Sequence, residues 1–401
     1  MNLNIGEERE SDSKLLDICR QVIRHSVKTS HPNFYNQLYG GAEQYSLSGA
    51  FLTDALNTSA ATFEISPVFS VIEKYLIKYL GELVGYECSQ IDGMFAPGGS
   101  SANTYAMVLS RQKAFPQSKQ KGIRELGELV MFASEDSHYS FVKSAIWLGM
   151  GTESVIKVKA DERGRMCVSE LRNNILFAKS GGKVPYMVSA TSGTTVLGAF
   201  DPLPEIADIC QEFGLWLHVD GALGGAWLMS RQHLHLLSGV NRADSVTWDL
   251  HKMTCAPQQC TVILTKHPTI LCETNSLRAE YIFQSDKFYD ASYDSGDKSI
   301  QCGRKSDTLK LWLQLKAYGL GGAWLMSRQH RHLLSGVNRA DSVTWDLHKM
   351  TCAPQQCTVI LTKHPTILCE TNSLRAEYIF QSDKFYDASY DSGDKSIQCG
   401  R

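Results

Sequence analysis

The stretch SVTWDLHKM, Ser245–Met253, ends a short apolar run with a histidine and a lysine. Most lysines are solvated surface groups. One held beside a carbonyl compound can attack it through its amine and form a Schiff base, so Lys252 is the first candidate for covalent chemistry. Asp220 closes another apolar run, LWLHVDGA. A carboxylate emerging from a buried strand can hold a protonated ring nitrogen, a charge-assisted bond contributing about 1.5–3 kcal/mol. The turn PGGSSAN puts Gly99, Ser100 and Ser101 where a strand gives way to a helix. Helix-start N–H groups suit a phosphate, and glycine lets it approach the backbone closely. The turn lacks the lysine of a nucleotide-binding loop, which argues against a nucleotide. His138, in SEDSHYS, offers an aromatic face to a planar ring, and Thr194 and Thr195, in SATSGTT, offer hydroxyls. Each residue alone has an ordinary explanation as a cap, a turn or a surface group. Their order in the chain and their common place after strands are what point to one site.

The elements that must position them recur from about residue 92 as a short apolar strand, a polar or glycine turn and an amphipathic helix. That alternation predicts an α/β fold with a mainly parallel sheet covered by helices, and ligands bind beyond the carboxyl ends of such strands. Before residue 30, LLDICRQVIRHSV has apolar groups at helical spacing. The 401 residues, 43% hydrophobic and 20% charged, supply ample material for a core. A net charge of −2 leaves no electrostatic footprint for nucleic acid or an anionic membrane. No run approaches the roughly 20 apolar residues of a membrane span, and the polar start MNLNIGEERE does not read as a signal peptide. The 12 cysteines include no CxxC pair, so neither a metal site nor a disulfide framework is expected, and a cytoplasmic location is.

A long repeat complicates this plan. Residues 320–401 duplicate 223–304 with one difference, Arg331 in place of Leu234. SVTWDLHKM therefore returns at Ser342–Met350, with Lys349 as a second lysine. Solenoid repeats are shorter and more numerous, so this reads as a duplicated segment competing for one place in the fold. The first copy continues directly from the strand ending in Asp220, whereas the second follows KLWLQLKAYG, the end of an amphipathic helix. Lys252 is therefore favoured over Lys349.

With HPNFYNQL, ALNTSAATFEISPVF, VKADERGRM and DKFYD added, the chain over roughly His31–Gly319 resembles the group II pyridoxal-phosphate decarboxylases. Within that family it is most similar to the branch acting on small acidic amino acids such as cysteine sulfinate. The resemblance implies a fold-type I transferase-like architecture and a homodimer with sites at the subunit interface. It implies a shortened N-terminal helical arm (1–55), a cofactor-binding domain (56–319) and a duplicate (320–401) standing where the family has a small C-terminal domain. It implies pyridoxal 5′-phosphate on Lys252, with Asp220 at the ring nitrogen and His138 stacked on the ring. Gly99, Ser100 and Ser101 would cradle the phosphate with His251 nearby, and Thr194 and Ala222 would line the site. Tyr281 would return a proton after carbon dioxide leaves, and Gln37 would read the acidic side chain. The implied reaction is α-decarboxylation of cysteine sulfinate to hypotaurine, a step of taurine biosynthesis, with aspartate and then glutamate as alternatives. The competing reading is an inactive chain that at most pairs with intact subunits. One departure concerns the site itself: Asp249-Leu250 stands where the family usually has Asn-Pro. A carboxylate there is unfavourable for a phosphate unless it points away.

Overall fold

The computed structural model describes residues 3–29, 31, 34, 36, 38–39, 41–284 and 286–319, and of the rest only the backbone of 342–346 and 358–362. One sheet is built from β1 (Asp92–Ala96), β2 (Leu129–Ser134), β3 (Val155–Val158), β4 (Val184–Thr191), β5 (Trp216–Asp220), β6 (Ser245–Asp249) and β7 (Thr261–Thr265). Its spatial order is β1-β7-β6-β5-β4-β2-β3. From β6 to β3 every neighbouring pair is parallel, as the alternation of strands and helices predicts. Strand β7 runs antiparallel to both β6 and β1. The reason is the short 250–260 connection, since a parallel return needs a crossover of a dozen or more residues.

The helices are α1 (Asp12–His25), α2 (Gln44–Leu56), α3 (Pro67–Val84), α4 (Gly99–Ala114), α5 (Ser118–Lys121), α6 (Ser140–Trp147), α7 (Val168–Ser180), α8 (Leu203–Phe213), α9 (Ile270–Asn275) and α10 (Thr308–Tyr318). They divide the core into two layers. Strand β2, LVMFAS, is buried throughout because both its faces are covered. Val130 and Phe132 pack with Leu76 of α3 and Ile206 of α8, while Met131 and Ala133 pack with Met107 of α4 and Phe141 of α6. Helix α1 buries none of its residues and leaves Leu15, Leu16, Val22 and Ile23 exposed.

Arg304, the last residue of the first copy, anchors that copy to α3. Its guanidinium donates to Glu73 at 2.6 Å and to the carbonyls of Ala60 and Phe95, both at 3.1 Å. Burial pushes the Glu73 carboxyl up, but the Arg304 charge and hydrogen bonds outweigh it and hold the group below the ordinary value. In the second copy, β8 (Ser342–Asp346) and β9 (Thr358–Thr362) form a separate antiparallel pair. Lys349 lies outside the described residues, as does the packing expected of the duplicate.

Candidate active site

The site residues gather because strand register aligns their carriers. Thr191, Asp220 and Thr247 form a row across β4, β5 and β6. One edge further, Ala96, Thr261 and Asp249 form a row across β1, β7 and β6. Chain leaving β1 therefore makes its Pro97-Gly98-Gly99 turn beside the loop that carries His251 and Lys252.

Gly98 adopts a φ of +91°, and a Cβ on Gly99 would lie 2.7 Å from an Asp249 carboxylate oxygen, so neither position readily accepts a side chain. Helix α4 starts at Gly99, and the hydroxyl of Ser101 donates back to the Pro97 carbonyl at 3.2 Å. Ser100 occupies the same first turn, where helical N–H groups lack intrahelical partners. The turn has the form of an anion cradle, but the buried Asp249 carboxylate points into it. That carboxylate accepts from the Thr261 hydroxyl at 2.7 Å and pairs with Lys252 Nζ at 3.0 Å. The carboxylate that the sequence required to point away does not.

The Lys252 side chain is 19% exposed, with its amine held against the Asp249 carboxylate. His251 has Nδ1 3.1 Å from the Cys260 carbonyl and Nε2 3.8 Å from Asp249. His138 follows β2, and its Nδ1 accepts from the Ser140 N–H at 3.2 Å. Burial lowers its pKa; the charge of Asp220 opposes that and the charge of Lys252 adds to it. The imidazole is thus neutral at pH 7, with Asp220, Lys252 and Asp249 all within electrostatic reach.

Asp220 is buried at the tip of β5. One carboxylate oxygen accepts from Asn103 Nδ2 at 2.8 Å and the other from the Ala222 N–H at 3.1 Å. Ala222 is buried beside it. Thr194 is also buried, and its hydroxyl accepts from the Ala199 N–H at 3.0 Å, which pins the turn after β4. The hydroxyls of Thr191 and Ser192, at the end of β4, are buried with no hydrogen-bond partner among the described residues.

One expected residue is not part of this cluster: Tyr281 is 82% exposed in the segment after α9. Gln37 lies outside the described residues. Conversely, Asn103 belongs to the cluster without a sequence signal of its own. It sits one helical turn past the glycines on the buried face of α4, a spacing that signals a site only once Asp220 is known to lie opposite.

The chain matches the family model described as the pyridoxal-dependent decarboxylase conserved domain over residues 1–323, and again over 319–401. It is 51% identical over 320 residues to the cysteine sulfinic acid decarboxylase of Mus musculus, covering 80% of this chain and 64% of the relative. It is 51% identical over 323 residues to an acidic amino acid decarboxylase of Xenopus tropicalis, covering 80% and 63%. The chain thus spans under two thirds of the length of these curated relatives. A crystal structure of mouse CSAD is similar at a TM-score of 0.79 and 44% identity, covering 94% of this chain and 77% of that one. An Oryza sativa TDC structure, at 23% identity and a TM-score of 0.74, shares the fold.

Proposed function

The chain belongs to the pyridoxal-dependent decarboxylase family, and on that premise we propose that it removes the α-carboxylate of a small acidic amino acid with pyridoxal phosphate as cofactor. The observation that carries the reading is the meeting of Lys252, Asp220 and His138 at one strand edge beside the Gly98-Gly99 turn. Their donor chemistry fits the cofactor. Lys252 would hold it covalently, Asp220 would hold its ring nitrogen protonated, and neutral His138 would lie against the ring. Gly99, Ser100, Ser101 and His251 would face the phosphate, and Thr194 and Ala222 would close the remaining sides. Asp249 is the one poor fit. When bound, the cofactor supplies an electron sink for the pair left as carbon dioxide departs. The protein's part is orientation: the buried Asp220 carboxylate, in a site of low dielectric, is fixed before the reaction by Asn103 and the Ala222 N–H.

Tyr281 is the proposed proton donor, and at 82% exposure it acts only if its segment closes over the strand edge of its own protomer or of a second one. A homodimer is the proposed assembly; it would cover the unburied apolar side of α1. No described helix is long and apolar enough to cross a membrane, and the cytoplasm is the proposed compartment. Residues 56–319 are taken as the cofactor-binding domain, preceded by the 1–55 arm, with 320–401 as a second edition of 223–304 rather than a domain of its own.

Cysteine sulfinate is the preferred substrate, then aspartate, then glutamate, supported by the names of the relatives and with Gln37 proposed to read the acidic group. The test supplies each amino acid labelled at its carboxyl carbon and measures labelled carbon dioxide and the amine. Release should be fastest from cysteine sulfinate, without keto acid. Keto acid would point to transamination instead. A cofactor-loaded chain that releases nothing would favour the second reading, an inactive subunit, which is motivated by a family match that starts again at residue 319. That reading predicts co-purification with an intact decarboxylase in mixed dimers, and failure to bind intact subunits would sink it.

A further inference from the structure

Behind Asp220 runs a buried chain of hydrogen bonds whose polarity is fixed at both ends. It starts at Trp216, whose indole can only donate, and its Nε1 lies 2.8 Å from Ser245 Oγ. Ser245 Oγ lies equally close, 2.8 Å, to His218 Nδ1, and since a hydroxyl has two lone pairs and one proton its role there depends on the imidazole tautomer. An accepting Nδ1 requires the other proton of a neutral imidazole to sit on Nε2. His218 Nε2 faces Asn103 Oδ1 at 3.1 Å, with the Thr247 hydroxyl more distant at 3.4 Å. The Asp220 carboxylate can only accept, so it meets the amide nitrogen of Asn103, and Asn103 Oδ1 faces His218. The ring proton then sits on Nε2, and Nδ1 accepts from Ser245. The amide nitrogen donates to Asp220 at 2.8 Å and to the Ser140 hydroxyl at 2.9 Å. The chain ends on a carboxylate, which can only accept.

His218 and Ser245 are 0% exposed, Asn103 1% and Asp220 4%, so water does not compete for any of these bonds. Burial depresses His218 to about 4. It is therefore neutral at physiological pH, as an accepting Nδ1 requires.

We propose that His218 is a positioning residue that acts through the carboxamide of Asn103 to orient Asp220 toward the cofactor's ring nitrogen. This rests on the reading of Asp220 given above. The imidazole touches neither cofactor nor substrate. Together with the Asp220 carboxylate it holds Asn103 with its amide nitrogen toward Asp220, since a flipped carboxamide would set oxygen against oxygen.

The test compares binding of pyridoxal phosphate with binding of its 1-deaza analogue, in which the ring nitrogen is a C–H, to the full chain. Dissociation constants come from fluorescence titration, and thermal unfolding of the cofactor-free protein controls for folding. The unmutated chain should prefer pyridoxal phosphate by about tenfold or more, the worth of one charge-assisted hydrogen bond. His218→Phe should cut that preference to roughly threefold or less while leaving affinity for the deaza analogue within about twofold. Ser245→Ala removes one hydroxyl, should move the preference the same way by less, and carries the test if His218→Phe does not fold. An unchanged preference in the folded variants, or equal weakening for both ligands, overturns the proposal and leaves His218 a packing residue. No preference in the unmutated chain would instead refute the reading of Asp220 and the proposal with it.

Discussion

Two regions of this molecule have nearly the same sequence and different surroundings. In the first copy β6 and β7 pair from Ser245 opposite Thr265 to Asp249 opposite Thr261. In the second, β8 and β9 pair from Ser342 opposite Thr362 to Asp346 opposite Thr358, the same register. Local sequence thus specifies the hairpin in both places. Among the described residues the first hairpin is flanked by β5 on one side and β1 on the other, whereas the second is a sheet of two strands. An isolated two-stranded sheet is marginal in water. Asn103, His138, His218 and Asp220 all precede both copies and are present once, so the two lysines compete for a single set of partners.

The largest expected contrast lies between the lysines. Lys252→Ala should abolish covalent cofactor attachment, read as loss of the visible absorbance band and of borohydride-fixed label. Lys349→Ala should leave both unchanged, and the reverse result would move the site to the second copy. Next come the terminal arginines. Arg304→Ala leaves Glu73 buried and unpaired and should lower stability to denaturant by about 3–5 kcal/mol. Arg401→Ala should change it by less than about 0.5 kcal/mol. Equal losses would mean that both copies dock.

A third contrast uses pH. His218 is held at about 4 by burial, against an ordinary value of 6.5. With the folded-state value depressed, the unfolded chain takes up the proton first as pH falls. The stability from neutral His218 is complete above about 6.5 and lost on the way to 4, roughly 3 kcal/mol in all. Asp201, raised by burial to about 6, acts in the opposite sense over part of that range. The His218 share is therefore the difference between the unmutated chain and His218→Phe across pH 4–7, and equal slopes would contradict it. The smallest contrast is between the paired aspartates. Asp249→Asn removes a negative charge from the turn beside Gly99 and should tighten cofactor binding by roughly fivefold, on the order of 1 kcal/mol. Asp346→Asn should leave the dissociation constant as it is.

Much of the fold was legible because strands buried on both faces read as apolar runs and their turns carry glycine, serine or aspartate. Asp220, Lys252, His138 and the Gly98-Gly99 turn were visible for the same reason, since each marks the end of a run. What was hidden depends on register and long-range pairing. His218 reads as one polar residue inside a strand, and Ser245 as a strand start, until β5 and β6 align them. Glu73 and Arg304 lie 231 residues apart, and neither has a local pattern that announces the other. Asp249 was noticed as a departure, but only the row Ala96–Thr261–Asp249 shows that it faces the turn.

Among the described residues strand β1 lies at the edge of the sheet and pairs with β7 alone. The chain offers the β7 sequence TVILT twice, at 261–265 and at 358–362. Loop-closure entropy hardly separates the two partners, favouring the nearer by only roughly 0.4 kcal/mol. Synthesis separates them better: the first leaves the ribosome about 5–20 s before the second, ample time for a sheet to close. A chain refolded from denaturant meets both at once. Its yield of the seven-stranded sheet, set beside that of a chain truncated after Gly319, measures how far the fold depends on the order in which its partners are made.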